Sequence, residues 1–258
     1  PTGSGKTTTL YTLLKILNQT SVNVTTIEDP VEYRIHGVNQ IKVNEAAGLT
    51  FARGLRSIVR QDPDVILVGE IRDAETAEIA INAALTGHLV LSTFHANDAA
   101  TAIPRLLDMG VEPFLLASTL ELVVGQRLVR SLAEEYRHSE TVTKKDFKKE
   151  HPELMPFMTF NDEDEATLYR GDAEGTKDAF RGRTGIFELI ETTPAIKDLI
   201  LTHPSAREVW AAAREQGARS LFEDGVRRVV QGETTFDELL RVAEPPQDVY
   251  VSDKTQKE

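Results

Sequence analysis

The sequence has 258 residues, with 29 Lys and Arg against 41 Asp and Glu, which gives a formal net charge of −12. A chain of this length can bury the core of one large domain or two ordinary ones, and 40% hydrophobic residues exclude a disordered or collagen-like chain. The acidic balance argues against a broad nucleic-acid-binding surface, and the lack of cysteine excludes disulfides, thiolate metal sites and a cysteine nucleophile. Apolar runs are too short for a membrane span, so we expect neither a transmembrane segment nor a signal peptide.

The chain opens on a phosphate-binding pattern. Residues 1–8 read Pro-Thr-Gly-Ser-Gly-Lys-Thr-Thr, which is G-x-x-x-x-G-K-[ST] without its first glycine, so we expect a fragment whose preceding strand lies upstream. Glycines in such a loop let backbone N–H groups point at a polyphosphate, the lysine reaches the β- and γ-phosphates, and the hydroxyl that follows ligates Mg²⁺. The alternative is a glycine-rich turn that caps an ordinary helix. The predicted nucleotide-binding residues are Gly3, Ser4, Gly5, Lys6, Thr7 and Thr8, with Thr7 as the metal ligand.

Helical and strand patterns alternate after this loop. The predicted elements are a helix over 8–17, strands at 22–27 and 40–43, a helix at 49–59 with Thr50 as its cap, a strand at 65–71, a helix at 74–85 ended by Gly87, a strand at 88–93 and a helix around 99–109. Continuous apolar strands that alternate with helices predict an α/β fold with a parallel sheet covered on both faces. Such sheets bind ligands at the carboxyl ends of their strands.

Carboxylates follow two of the predicted strands. Glu70 lies at the end of the predicted apolar strand 65–71, after Gly69, which is the Walker B arrangement that delivers a carboxylate to Mg²⁺. It can hold the water shell of the metal or orient the attacking water, and both roles remain open. Glu28, Asp29 and Glu32 form a second acidic group, whose members repel one another unless a cation or an arginine lies nearby. A solvated acid in an exposed loop is the alternative for each of these residues.

Two histidines and several arginines complete the candidate residues. His88 and His95 stand at opposite ends of the predicted strand 88–93, so they cannot chelate one metal together. His95 falls at the carboxyl end, within reach of a γ-phosphate, while the alternative for both is a hydrogen bond within the fold. Arg72 and three arginines at helical spacing are candidates to stabilise a phosphoryl-transfer transition state, although a solvated helix face is the default for at least two of the three. Those three are Arg53, Arg56 and Arg60.

Four motifs in this order resemble the secretion-ATPase superfamily, and most closely the type II secretion and type IV pilus assembly ATPases of the GspE/PulE/PilB branch. In that family they are called Walker A, the aspartate box, Walker B and the histidine box. Here they correspond to PTGSGKTTTL at 1–10, TIEDPVEY at 26–33, RQDPDVILVGEIRD at 60–73 and TGHLVLSTFHA at 86–96. The specific resemblance covers about residues 1–132.

The resemblance implies a RecA-like P-loop NTPase core with Lys6, Glu32, Glu70 and His95 as catalytic residues. Glu32 would position or activate the attacking water, Glu70 would serve Mg²⁺ through water, and both histidines would help to sense the nucleotide. Glu28, Asp29, Arg72 and His88 are further candidates.

The family also implies a biological role. Its members are Mg²⁺-dependent ATPases that work as cytoplasmic homohexamers at the inner membrane, where they act on a platform protein and drive pilin or pseudopilin assembly. We expect peripheral membrane association and no nucleic-acid partner. The alternatives are a pilus retraction ATPase and a catalytically weak nucleotide-binding subunit of the same machinery.

The chain departs from the family after Gln126-Arg127-Leu128, where the branch commonly carries a tetracysteine zinc module. We therefore expect no zinc, and we interpret 133–182 as a charged insert with some helix and acidic loops. A solvated surface insert is the default, and a partner-docking surface is the alternative. A short strand at 185–190 and helices capped by Ser205 and Ser220 predict a small helical C-terminal subdomain. The predicted domains are a core at 1–132, the insert at 133–182, the helical subdomain at 183–245 and a flexible tail at 246–258.

Overall fold

A computed structural model describes residues 2–171 and 179–246, so nearly all of the predicted tail lies outside the described residues. Two units are distinguished: the first comprises 5–123 and 190–217, and the second comprises 124–189 and 218–246 together with 2–4. No helix in the described part of the chain is both long enough and apolar enough to cross a membrane.

Four strands of the first unit form a parallel sheet in the order β2-β1-β3-β4. They are β1 (Val24–Glu28), β2 (Asn39–Lys42), β3 (Val65–Val68) and β4 (Leu89–Ser92). β1 and β3 are buried along their whole length, as continuous β-branched and apolar runs predict for central strands. The predicted parallel α/β sheet is therefore confirmed.

Within its described ranges, 5–123 and 190–217, the first unit contains seven α-helices. They are α1 (Lys6–Leu17), α2 (Phe51–Ile58), α3 (Ala74–Leu85), α4 (Ala99–Asp108), α5 (Pro113–Thr119), α7 (Pro194–Ile200) and α8 (Ala206–Glu215). Side-chain caps set several starts: Thr50 accepts a hydrogen bond from the N–H of Arg53 and confirms its predicted role, and Asp73 accepts one from Thr76. Gly87, with φ 103°, follows the end of α3.

Helices cover both faces of the sheet because its residues alternate between two apolar clusters. Ile66 and Val68 pack with α2 and α3, whereas Val65 and Leu67 pack with Tyr11 and other residues of α1. The apolar residues Leu10, Leu13, Leu14 and Leu17 have helical spacing. The structure buries Tyr11 and Leu14 and leaves Leu13 40% exposed, because the helix turns its tyrosine toward the sheet.

Gly54 permits the close approach of α2 to β1. A Cβ atom at this position would lie 2.1 Å from Cδ1 of the fully buried Ile27. We expect Gly54→Val to lower the free energy of unfolding by about 1–3 kcal/mol through overpacking. Urea denaturation measures this, with Ser57→Ala on the exposed face of the same helix as the control. Equal stability of the two variants would contradict the proposed packing.

The second unit joins strands and helices from separate parts of the chain. β5 (Leu122–Leu132) pairs with β8 (Phe180–Glu191), and β6 (His138–Thr143) pairs antiparallel with β7 (Glu165–Arg170). Its helices are α6 (Lys144–Glu150), α9 (Leu221–Val230) and α10 (Phe236–Leu240). Ser205 and Ser220 form the capping boxes of α8 and α9 and so confirm the predicted caps. Short 3₁₀ segments lie at Glu45–Ala47, Val59–Gln61, Glu134–Tyr136 and Pro152–Phe157.

These units cut across the expected domain boundaries. Phe147 and Leu168, from the segment expected to be a surface insert, are buried in one core with Phe222 and Leu239 of the C-terminal helices. Of the predicted helical subdomain, α7 and α8 pack on α5 and α4 of the first unit, whereas α9 and α10 belong to the second. Apolar spacing shows which side chains are buried but does not identify their partners, so contacts between distant segments escape it.

Candidate nucleotide-binding site

The phosphate loop has the backbone conformation that its glycines predict. Gly3 and Gly5 have φ 78° and 85°, in the left-handed region that side chains disfavour, and Gly5 is the N-cap of α1. Glycine has no side chain to cap the helix, and at Gly5 the described residues show no side-chain cap hydrogen bond. Ser4 is 4% exposed, and its hydroxyl has no hydrogen-bond partner in the described part of the chain. These features fit a loop that binds a polyphosphate at a helix N-terminus.

Lys6 and Thr7 are the first two residues of α1. Both residues are half-buried in its first turn, whereas Thr8 is exposed. An ammonium group and a hydroxyl at these positions suit a phosphate and a Mg²⁺ ion, respectively. Across 2–171 and 179–246, no group of three or more His, Cys, Asp or Glu side chains is placed to hold a metal.

Glu70, Arg72, His95 and Asp29 lie together at the carboxyl edge of the sheet. One carboxylate oxygen of Glu70 pairs with Arg72, and the other lies 2.8 Å from Nε2 of His95. Arg72 also lies 3.8 Å from the carboxylate of Asp29. Burial raises the pKa of Glu70, but hydrogen bonds from Arg72 and His95 outweigh it and hold that pKa below its ordinary value. Glu70 is therefore ionised and oriented by its two neighbours.

A close approach of β3 to β1 places Glu70 at this edge. The N–H of Gly69 donates to the carbonyl of Ile27 at 2.8 Å, and the hydroxyl of Thr93 donates to the carbonyl of Gly69 at 2.7 Å. A Cβ atom on Gly69 would lie 3.2 Å from Cα of Glu28 and 3.2 Å from the carbonyl oxygen of Ile27. Gly69 is thus needed where the two backbones converge.

The aspartate-box carboxylates have different environments. Glu28 is 3% exposed and accepts hydrogen bonds from the hydroxyls of Tyr11 and Thr26 and, at 3.4 Å, from the amide of Gln40. Among the described residues its donors are thus neutral groups. Glu32 is exposed, and its backbone N–H donates to the hydroxyl of Tyr11 at 3.2 Å. The structure therefore groups Asp29 with Arg72 but keeps Glu28 in the core.

The two histidines of the histidine box lie at opposite ends of β4, as predicted. Nδ1 of His88 lies 2.8 Å from the carbonyl of Ala83, so His88 contacts the end of α3. It is not part of the carboxylate cluster, the group formed by Glu70, Arg72, His95 and Asp29. After the carboxyl end of β4, the guanidinium of Arg105 in α4 donates to the backbone carbonyl of His95 and lies over the ring of Phe94.

Sequence reasoning missed Tyr11 and Arg105. A single arginine on a helix carries no distinguishing signal, and the tyrosine stands between leucines in a helical pattern. One sequence feature could have identified Tyr11: it lies on the apolar face of a helix, where its hydroxyl would be buried. A buried hydroxyl needs a hydrogen-bond partner, so such a tyrosine is expected to contact a polar group.

The sheet, the phosphate loop and the carboxylate after β3 define a P-loop NTPase with a RecA-like α/β fold. Residues 1–241 match the family described as "Type II/IV secretion system protein". The chain belongs to this family.

Two curated relatives show the level of similarity. Type II secretion system protein E of Xanthomonas campestris pv. campestris is 48% identical over 250 residues, which are 95% of this chain and 42% of that protein. Type IV pilus assembly ATPase PilB of Pseudomonas aeruginosa is 44% identical over 243 residues, which are 94% of this chain and 42% of that protein. The chain thus spans less than half the length of these relatives.

Solved structures support the fold. The pilus retraction motor PilT, crystallised with ADP, superposes with a TM-score of 0.68 at 29% identity, over 96% of this chain and 60% of that one. The ATPase DotB of Legionella pneumophila gives 0.63 at 25% identity, over 93% of this chain and 57% of that one.

Proposed function

We propose that this chain is the ATP-hydrolysing motor part of a protein that powers pseudopilin assembly in type II secretion or pilin assembly in type IV pilus biogenesis. The observation that carries the proposal is the carboxylate cluster of Glu70, Arg72 and His95 in a chain that opens on a phosphate loop. The 44–48% identity to secretion and pilus assembly proteins supports the choice of machinery.

A pilus retraction motor is the second candidate, since PilT is a structural neighbour. Its identity to this chain is 29%, against 44–48% for the secretion and assembly relatives. The chain also continues for many residues after Gln126-Arg127-Leu128, where the assembly and secretion branch carries its additional module. We therefore favour assembly or secretion.

The phosphate loop would bind ATP through its N–H groups, and Lys6 would neutralise the β- and γ-phosphates. A bound Mg²⁺ ion, held by Thr7 and through water by Glu70, would supply further stabilisation of phosphate charge. Arg72 and His95 keep Glu70 ionised and fix its orientation, and Asp29 restrains Arg72. Glu32, on an exposed segment, would accept a hydrogen bond from the attacking water and turn it toward the γ-phosphate.

The same proposal includes assembly into a homohexameric ring at the cytoplasmic face of the inner membrane, where it acts on a platform protein. The relatives' place in secretion and pilus machinery supports this arrangement. Light scattering of the purified protein with and without ATP measures the ring directly, and a mass that stays at one subunit under all conditions would contradict it.

Glu32→Gln tests the assignment of the water-directing residue. We expect ATP binding to remain and hydrolysis to fall about 10²- to 10⁴-fold, because the amide cannot accept the proton of the attacking water. Phosphate release measures turnover, and a fluorescent ATP analogue measures binding. Glu78→Gln, an exposed carboxylate on α3, serves as the matched control. Steady-state hydrolysis at the wild-type rate in Glu32→Gln would rule out the assigned role.

A further inference from the structure

Tyr11 contacts two parts of the aspartate box through one hydroxyl group. It lies on α1, the helix that follows the phosphate loop, and is fully buried. Its hydroxyl donates to the carboxylate of Glu28 at the end of β1 and accepts a hydrogen bond from the backbone N–H of Glu32 at 3.2 Å. Within the described part of the chain, Glu32 makes no other hydrogen bond.

The ring and the hydroxyl of Tyr11 have separable roles. The ring packs in an apolar cluster with Leu14, Val24 and Leu67, and its edge meets the ring of Tyr33 at a centroid distance of 4.7 Å. A phenylalanine would keep these contacts, so packing alone does not explain the hydroxyl. Burial and the neighbouring Glu28 carboxylate raise the pKa of Tyr11, so the hydroxyl stays protonated and remains a donor.

A second side chain holds the segment beyond Glu32. Gln40 of β2 donates to the carbonyl of Tyr33 at 3.1 Å and accepts from the N–H of Ile35 at 2.7 Å. The same amide also lies 3.5 Å from the Tyr11 hydroxyl and 3.4 Å from the Glu28 carboxylate. Gln40 therefore fixes residues 33–35 to the sheet edge, whereas the backbone N–H of Glu32 is held by the Tyr11 hydroxyl of α1. The backbone that carries the Glu32 carboxylate is therefore attached to the same helix whose first residue is Lys6.

We propose that Tyr11 is a positioning residue for hydrolysis, because its hydroxyl couples the phosphate-loop helix to the backbone of Glu32 and so sets the place of the Glu32 carboxylate. The proposal rests on the proposed function of Glu32. A helix is rigid over the short distance from Lys6 to Tyr11, so a shift of the loop on nucleotide binding reaches Glu32 through this hydrogen bond. A small displacement of a water-directing group is enough to slow hydrolysis strongly.

Tyr11→Phe and Thr26→Val form a matched pair of variants. Each removes one hydroxyl that donates to Glu28, but only Tyr11 also contacts Glu32. We expect similar falls in thermal stability for both variants. In the protein at its natural length, Tyr11→Phe should lower kcat for ATP about 10- to 100-fold with an unchanged KM, while Thr26→Val keeps its kcat. Equal losses of kcat in the two variants, or no loss in Tyr11→Phe, would overturn the proposal.

Amide hydrogen exchange provides a readout that does not depend on turnover. The peptide that contains Glu32 should exchange faster in Tyr11→Phe than in the wild type and should be unchanged in Thr26→Val. Unaltered exchange in Tyr11→Phe would refute the coupling. If the Glu32 peptide exchanges faster in Tyr11→Phe but the wild type hydrolyses no ATP, the proposed function is refuted, and with it the role of Tyr11 in hydrolysis, while the link between α1 and Glu32 stands.

Discussion

Lys6→Ala is expected to lower ATP turnover by about 10²- to 10³-fold or more, because it removes the positive charge aimed at the phosphates during their transfer. Lys6 is the first residue of α1 and follows Gly5, whose φ of 85° turns the chain into the helix. Alanine is compatible with this helical position, so the substitution should leave the sheet and its clusters in place. Steady-state phosphate release and nucleotide binding, measured on the same preparation, separate a loss of affinity from a loss of chemistry.

Lys144→Ala is the control for this experiment. Lys144 is an exposed lysine of the second unit, where it pairs with Asp164 at 3.1 Å. Removing it should change neither turnover nor the melting temperature by a measurable amount, since exposed ion pairs contribute little. Wild-type turnover in Lys6→Ala, or an equal loss in Lys144→Ala, would contradict the role of the phosphate loop.

Glu238→Ala is expected to have the largest effect on stability, a loss of about 2–4 kcal/mol in the free energy of unfolding. Its side chain is 4% exposed and pairs with Arg130 at 2.5 Å and with Arg241 at 3.0 Å, and it also accepts the N–H of Arg130 at 3.2 Å. Alanine would leave a cavity and two arginines without their acceptor. The arginine side chains are about half exposed, so water recovers part of the cost.

The matched control for Glu238 is Glu140→Ala. Glu140 pairs with Arg170 in the same unit, but both side chains are about half exposed. We expect a loss of about 0.2–1 kcal/mol, the range of exposed ion pairs. Urea denaturation measures the unfolding free energy of both variants. Equal losses would show that burial does not increase the contribution of the Glu238 ion pairs to stability.

The stability contributed by Glu238 should also depend on pH. Hydrogen bonds from Arg130 lower the pKa of Glu238 to about 2, although burial opposes the shift. Because the pKa in the folded state lies below the ordinary value of 4.5, the stabilisation is full above about pH 4.5 and is lost as the pH falls toward 2. The difference in unfolding free energy between the wild type and Glu238→Ala should therefore shrink over this interval. A difference that stays constant between pH 5 and pH 2.5 would contradict the shifted pKa.

Local patterns predicted much of the first unit. The predicted helix at 74–85 coincides with α3, because Asp73 caps its start and Gly87 follows its end. The strand before Glu70 is short, apolar and bounded by turn residues, so its carboxylate was predicted at the sheet edge, where the structure places it. Parallel strands end at the same edge, which explains why Glu70 and His95 meet although they belong to different motifs.

Contacts between distant segments were not predictable in this way. Arg130 and Glu238 are separated by 108 positions, and nothing in either neighbourhood identifies the other as its partner. Likewise, the charged segment 133–182 was expected to lie on the surface, although Phe147 and Leu154 within it are 2% and 0% exposed. The average charge of a segment reflects its solvated side chains and does not show which of its few apolar side chains are buried in a core.

The sequence by itself determined the phosphate loop, the parallel α/β sheet and the position of Glu70, because each depends on residues adjacent in the chain or on the period of a strand or helix. The tertiary structure alone decided that Tyr11 joins α1 to Glu28 and Glu32, and that the segment after β5 shares its core with α9 and α10. These are packing choices among many buried side chains of similar chemistry. Only the complete fold selects which of them meet, because the free energy of burial is non-directional.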